Sequence, residues 1–167
     1  IQCDSEKGQG ATFRVYWPAN PDAETKPVRK NRWESPSKIE GSETVLVVDD
    51  EDVILEITVE ILEMHGYTVL TARSGEEALS LYAENGHTVD LVILDLNMPG
   101  MGGAQCLQHL QQYHHPPRVL LASGYSPHGS VQEVARSAAG FIAKPYHLTE
   151  LLAKIREVLD RDTQEPT

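Results

Sequence analysis

Residues 91–100 read "LVILDLNMPG": four apolar residues, Leu91 to Leu94, run straight into Asp95, and the chain then turns through Asn97, Met98, Pro99 and Gly100. A short, continuously apolar run bounded by turn residues suits a strand buried on both faces of a parallel sheet. Ending such a strand on a carboxylate is unfavourable unless the charge has a partner and a use. The strand containing this stretch extends over "VDLVILD" (89–95), and four similar runs flank it: "TVLVVDD" (44–50), "YTVLTA" (67–72), "RVLLAS" (118–123) and "GFIAK" (140–144).

Amphipathic stretches fill the gaps between these runs. Ile54, Ile57, Ile61 and Met64 recur at helical spacing within 51–65, and Ala78, Leu79 and Tyr82 do so within 75–85, behind a Ser74 placed to cap. Residues 103–113 form a third candidate helix, and 129–139 a fourth with thinner periodicity. Leu148, Leu151, Leu152, Ile155, Val158 and Leu159 make one apolar stripe in the last, with Thr149 or a nearby polar residue marking its start. Five strands alternating with five helices predict right-handed crossovers and a doubly wound, three-layer α/β domain.

Bulk properties narrow the function. The chain has 167 residues, enough for one ordinary domain plus extra segments. With 25 acidic against 14 basic residues its formal charge is -11, which argues against binding to phosphate backbones or anionic membranes. No apolar run approaches the roughly 18 residues of a bilayer span, and "IQCDSEKGQG" at the start lacks a basic segment followed by an apolar one. Cys3 and Cys106 show no C-x-x-C pattern, so neither a disulfide framework nor a zinc site is indicated, and a reducing cytoplasm fits. From Pro18 to Glu43 the chain is rich in Pro, Ser and charge and carries almost no apolar residues, the composition of a flexible linker. Trp33 within it reads as an exposed or loosely docked aromatic.

Open parallel sheets bind ligands at the carboxyl ends of their strands, where strand order reverses. Here the first strand ends in Asp49 and Asp50, the third in Asp95, the fourth in Ser123 and the fifth in Lys144; the second, ending in Thr71 and Ala72, contributes nothing obvious. One pocket explains all four. Clustered carboxylates repel unless a cation neutralises them, and Mg2+ takes one or two carboxylates with waters and phosphate oxygens. Asp50, Asp95 and a backbone carbonyl from the following turn can supply the protein's share. Asp95 can then act as a nucleophile toward phosphorus, with Ser123 and Lys144 meeting the phosphoryl oxygens. The bland readings are a helix-start cluster for Asp49, Glu51 and Asp52, structural glycines in "NMPGMGG" (97–103), and a turn at Ser123 and Gly124. His65, His87, His109, His114, His115, His128 and His147 form no ligand constellation along the chain.

Residues 44–160 resemble the receiver domain of two-component response regulators, through "LVVDDE", "ILDLNMPGMGG", "LLASGY" and "GFIAKPY" in order. The resemblance implies a flavodoxin-like (βα)5 fold with strand order 2-1-3-4-5. It also implies Asp95 as phosphoacceptor, Mg2+ (with Mn2+ as a substitute) organised by Asp49 and Asp50, and a metal-binding Asn97 carbonyl. Ser123 matches the family's Ser/Thr, Lys144 its lysine, Phe141 its aromatic switch position, and the Lys144–Pro145 bond its cis peptide. Phe141 lacks the hydroxyl of a tyrosine. A second resemblance lies in "SEKGQGATFRVYWP" (5–18), which is similar to the closing segment of the ATP-binding domain of histidine kinases, with Gly8 and Gly10 matching its Gly-x-Gly loop.

Together these imply the C-terminal receiver of a hybrid sensor histidine kinase. Residues 1–17 are a remnant of the ATP domain that neither binds ATP nor transfers phosphate, 18–43 a linker, 44–160 the receiver and 161–167 a disordered tail. The fragment is then no enzyme beyond self-phosphorylation from phosphodonors and autodephosphorylation, although its parent is a kinase that can be membrane-anchored. Only "DTQEPT" follows the last helix, so no output domain is expected. The implied partners are a histidine kinase core and a histidine phosphotransfer protein, with a dimer through the fourth and fifth helices as a further option. Two alternatives remain: a docking module that is never phosphorylated, and a phosphohydrolase of the haloacid dehalogenase type. The latter needs a second Asp two residues after the nucleophile, where Asn97 stands.

Overall fold

The computed structural model describes residues 1–6, 8–16, 39–124, 134 and 136–161. The chain divides into two compact units, Ile1–Glu34 and Ser35–Thr167. In the first, β1 (Gln2–Glu6) pairs antiparallel with β2 (Gly10–Arg14), Cys3 opposite Phe13 and Asp4 opposite Thr12. The turn between them uses Gly8 and Gly10 at φ 88° and 87°, where a side chain is disfavoured. Alternation places Cys3, Ala11 and Phe13 on one face, while Asp4 and Arg14 ion-pair on the other. Both strands are exposed throughout.

The second unit is built on β3 (Thr44–Val48), β4 (Thr68–Ala72), β5 (Leu91–Asp95), β6 (Arg118–Ser123) and β7 (Gly140–Ala143). All are parallel, in the order β4-β3-β5-β6-β7, which in the numbering of this unit's own strands is 2-1-3-4-5 as expected. Successive residues alternate between two cores. Val45, Val47, Ile93 and Leu120 pack toward α1 (Asp52–Met64) and α4 (Leu148–Asp160), contributing Leu55, Leu62, Leu151 and Ile155. Leu46, Val48, Val92, Leu94 and Leu121 pack toward α2 (Gly75–Asn85) and α3 (Gly103–Leu110), contributing Ala78, Tyr82, Cys106 and Leu107. Helices on both faces are why β5 reads as unbroken apolar sequence.

Ser74 caps α2 as expected, its hydroxyl accepting from the Glu77 N–H at 3.2 Å. The first helix is one residue shorter at each end than the 51–65 of the sequence reading. The third helix stops at Leu110, short of 113, and the last starts behind His147 with no side-chain cap. The expected helix over 129–139 lies mostly outside the described residues, of which Val134 and Arg136 are helical. Most of the linker, with Trp33, and residues 162–167 of the tail also lie outside them. Residues 39–43, read from the sequence as the end of the linker, belong to the second unit: Ile39 packs on its core and the Gly41 N–H donates to the His65 carbonyl at 3.0 Å.

Candidate functional site

The strand order reverses between β3 and β5, so their carboxyl ends flank a crevice. Asp49 and Asp50 lie just past β3, and Asp95 is the last residue of β5. The three carboxylates present oxygens all within 4.8 Å of one another. Asp49 and Asp95 are buried and Asp50 is exposed, which leaves one open side. The Asp49 position is held by its own loop, since Oδ1 accepts the Glu51 N–H at 3.0 Å. These residues fall together because two adjacent parallel strands end level, Val48 being paired with Leu94.

Lys144 enters from the far side of the sheet. Its N–H donates to the Ser123 carbonyl at 2.7 Å, anchoring the end of β7 to the end of β6. Its Nζ lies 2.6 Å from Asp49 Oδ2 and 3.2 Å from Asp95 Oδ2, so one ammonium spans two buried carboxylates. Burial works against that charge, but the hydrogen bond to Asp49 and the attraction of Asp95 prevail and hold its pKa above the ordinary lysine value. The Lys144–Pro145 bond is cis, as expected. Ser123 is buried at the end of β6, and Phe141 is half-buried against the α2–α3 core. Asn97 stands exposed in the turn after β5, beside a buried Met98.

One atom is anomalous. Asp95 Oδ1 is buried and has no hydrogen-bond partner, an arrangement native structures avoid unless the atom serves chemistry. An oxygen-preferring divalent ion and a phosphoryl group both suit the donor set of three carboxylates, a lysine and a hydroxyl. Gly103 completes the fit from behind, its α carbon lying so close to the Asp95 peptide that a Cβ would fall 2.1 Å from the Asp95 carbonyl oxygen.

The second strand of the sheet brings no side chain to the carboxylate cluster among the described contacts; the residue after it makes an ion pair outside that cluster. Arg73, one residue past β4, pairs through Nε with Asp52 Oδ1 at 2.6 Å at the start of α1, where both are exposed. Glu76 ties the turn after β5 to α2 by accepting the Met101 N–H at 3.1 Å. Nothing local marks either residue; their partners lie 21 and 25 positions away. The glycines Gly8 and Gly10 belong to the hairpin turn of the first unit.

Residues 45–156 match the family described as response regulator receiver domain. The chain belongs to that family. Over 96% of its length this receiver-bearing chain is 36% identical to the Sensor kinase CckA of Brucella abortus (strain 2308), spanning 18% of that protein. It is also 36% identical, over 70% of its length, to the transcriptional regulatory protein CpxR of Klebsiella pneumoniae subsp. pneumoniae (strain HS11286), spanning 49% of it. The chain thus spans half or less of these curated relatives. Among solved structures, it resembles the response regulator protein TrrA from Thermotoga maritima in complex with Mg(2+)-BeF. The TM-score is 0.63 and the identity 33%, covering 70% of this chain and 99% of that one. The receiver is a phosphoacceptor module of two-component signalling. No helix among the described residues is long and apolar enough to cross a membrane.

Proposed function

We propose that the receiver takes a phosphoryl group from a phosphohistidine onto Asp95 in a Mg2+-dependent reaction and switches a partner-binding surface in response. The observation that carries this reading is the buried, unpartnered Oδ1 of Asp95 beside the oxygens of Asp49 and Asp50. Asp50, Asp95 and the Asn97 carbonyl are the residues to hold the ion, with Asp49 acting indirectly and Mn2+ as a substitute. The ion supplies positive charge to oxygens gathering on phosphorus.

The rest falls to the chain's own groups. A carboxylate oxygen of Asp95 attacks phosphorus, the new O–P bond forms as the P–N bond breaks, and the electron pair stays on the departing nitrogen, so that a phosphohistidine protonated on its other ring nitrogen leaves as neutral imidazole. Lys144, already poised between Asp49 and Asp95, moves its charge onto a phosphoryl oxygen. The Ser123 hydroxyl bonds another and Phe141 follows it inward. Hydrolysis of the acyl phosphate by water returns Asp95 to its free state.

The same proposal assigns the chain to a hybrid sensor histidine kinase with a cytoplasmic receiver, the partners being that kinase's core and a histidine phosphotransfer protein. Support comes from the similarity to a sensor kinase across 96% of the chain. Residues 1–17 are then the close of its ATP-binding domain, inert by themselves, 18–38 a linker, 39–160 the receiver and 161–167 its tail.

Intact-protein mass spectrometry after incubation with Mg2+ and acetyl phosphate tests the reading. One added phosphoryl mass is expected, absent in Asp95→Asn and absent when the metal is chelated. If beryllofluoride with Mg2+ also leaves the protein unchanged, the phosphoacceptor reading fails and a docking module that is never phosphorylated takes its place.

A further inference from the structure

Residues 39–43 are fastened to the last helix by a network that the reaction at Asp95 does not use. Arg156 sits in α4 and is 9% exposed, rare for a charged side chain. Its Nη1 donates to Glu43 Oε1 at 2.8 Å and to the Tyr67 hydroxyl at 3.4 Å, while its Nε and Nη2 reach Asp160. The Tyr67 hydroxyl in turn donates to the Ile39 carbonyl at 3.4 Å. The Gly41 N–H is bonded to the His65 carbonyl at 3.0 Å, and the Gly41 carbonyl passes 2.5 Å from where a Cβ on Gly66 would stand. Gly66, at φ 91°, is thus a position where both conformation and space exclude a side chain.

Helix α4 connects this network to the phosphoryl site. Its first residue follows Lys144 by four positions, and its Leu151 and Ile155 share one core with Tyr67 and Leu62. The ammonium that now bridges Asp49 and Asp95 must re-seat when Asp95 carries a phosphoryl group. A fully packed helix answers such a change by shifting as a unit rather than by deforming.

We propose that residues 39–43 form a strap latched to α4 by Arg156, and that the latch passes the state of Asp95 to the polypeptide preceding residue 39. The inference rests on the phosphoacceptor reading. Hydrogen exchange with mass spectrometry on the full chain, with and without Mg2+ and beryllofluoride, tests it. The peptide covering 39–43 is expected to change its exchange rate by about fivefold on beryllofluoride binding, the factor that gain or loss of one net hydrogen bond produces. In Arg156→Met the strap should exchange fast in both states, while peptides around Asp95 still respond. Glu43→Gln, which keeps shape and removes the ion pair, serves where Arg156→Met fails to fold. A strap indifferent to beryllofluoride while the Asp95 peptides respond overturns the latch alone. No response anywhere overturns the phosphoacceptor reading, and the latch with it.

Discussion

Replacing Gly103 with alanine tests how closely the acceptor strand is fitted to the helix behind it. A Cβ there would lie 2.1 Å from the Asp95 carbonyl oxygen, 2.8 Å from Leu96 Cα and 2.9 Å from the Asp95 carbonyl carbon. All three are backbone atoms, so no rotamer change relieves the clash. Favourable contacts lie near 3.5 Å or beyond, so α3 and the end of β5 must separate by roughly 1 Å. Two effects oppose each other. Alanine gains at most about 1 kcal/mol over glycine as a helix former. Overpacking against backbone costs about 3 kcal/mol, at the upper end of its usual range. The net loss is then about 2 kcal/mol, or about 8 °C in Tm for a domain of this size. Because the displaced peptide belongs to Asp95 itself, phosphoryl uptake should fall further, by about 100-fold for a misplacement of that scale. Gly102→Ala is the control: its Cβ would meet nothing closer than 3.7 Å. Urea unfolding followed by circular dichroism gives the stability, and mass spectrometry with acetyl phosphate gives the uptake rate. If Gly103→Ala unfolds at the wild-type midpoint and accepts phosphate at the wild-type rate, the close approach has no energetic weight and the argument fails.

Two further outcomes follow from the electrostatics. The pKa of Lys144 is raised by Asp49 and Asp95, so the stability they lend is complete below the ordinary value of 10.5 and is lost as pH rises through the higher folded value. Alkaline unfolding curves should show that loss in the wild type and not in Lys144→Gln; parallel curves would refute it. Burial, with Glu76 adding to it, pushes the Cys106 thiol up to about 11, while Cys3 is exposed. At about pH 8 roughly one Cys106 in a thousand is thiolate, so iodoacetamide should label Cys3 alone until the protein is unfolded. Peptide mapping that finds Cys106 labelled in the folded chain would contradict this.

The type and order of the strands and helices, and the polar residues that stand at or just past the strand ends, were legible along the chain because they depend on local periodicity and on turn and cap chemistry; the limits of most elements moved by one to three residues. Ser74 is legible as a cap since its partner, Glu77, is three residues away. The acidic pair, Asp95, Ser123 and Lys144 are legible as one site because a parallel sheet brings its strand ends to one edge. Arg156 shows what was not legible. Within its helix it reads as a charge beside an apolar stripe, and its burial depends on Glu43, 113 positions earlier. Arg73, Glu76 and the strap at 39–43 escaped for the same reason. Gly103 read only as a structural glycine at the start of the third helix; its close approach to the Asp95 peptide came with the seating of α3. Each of these roles is a contact between elements far apart in the chain, which only their packing into one fold creates.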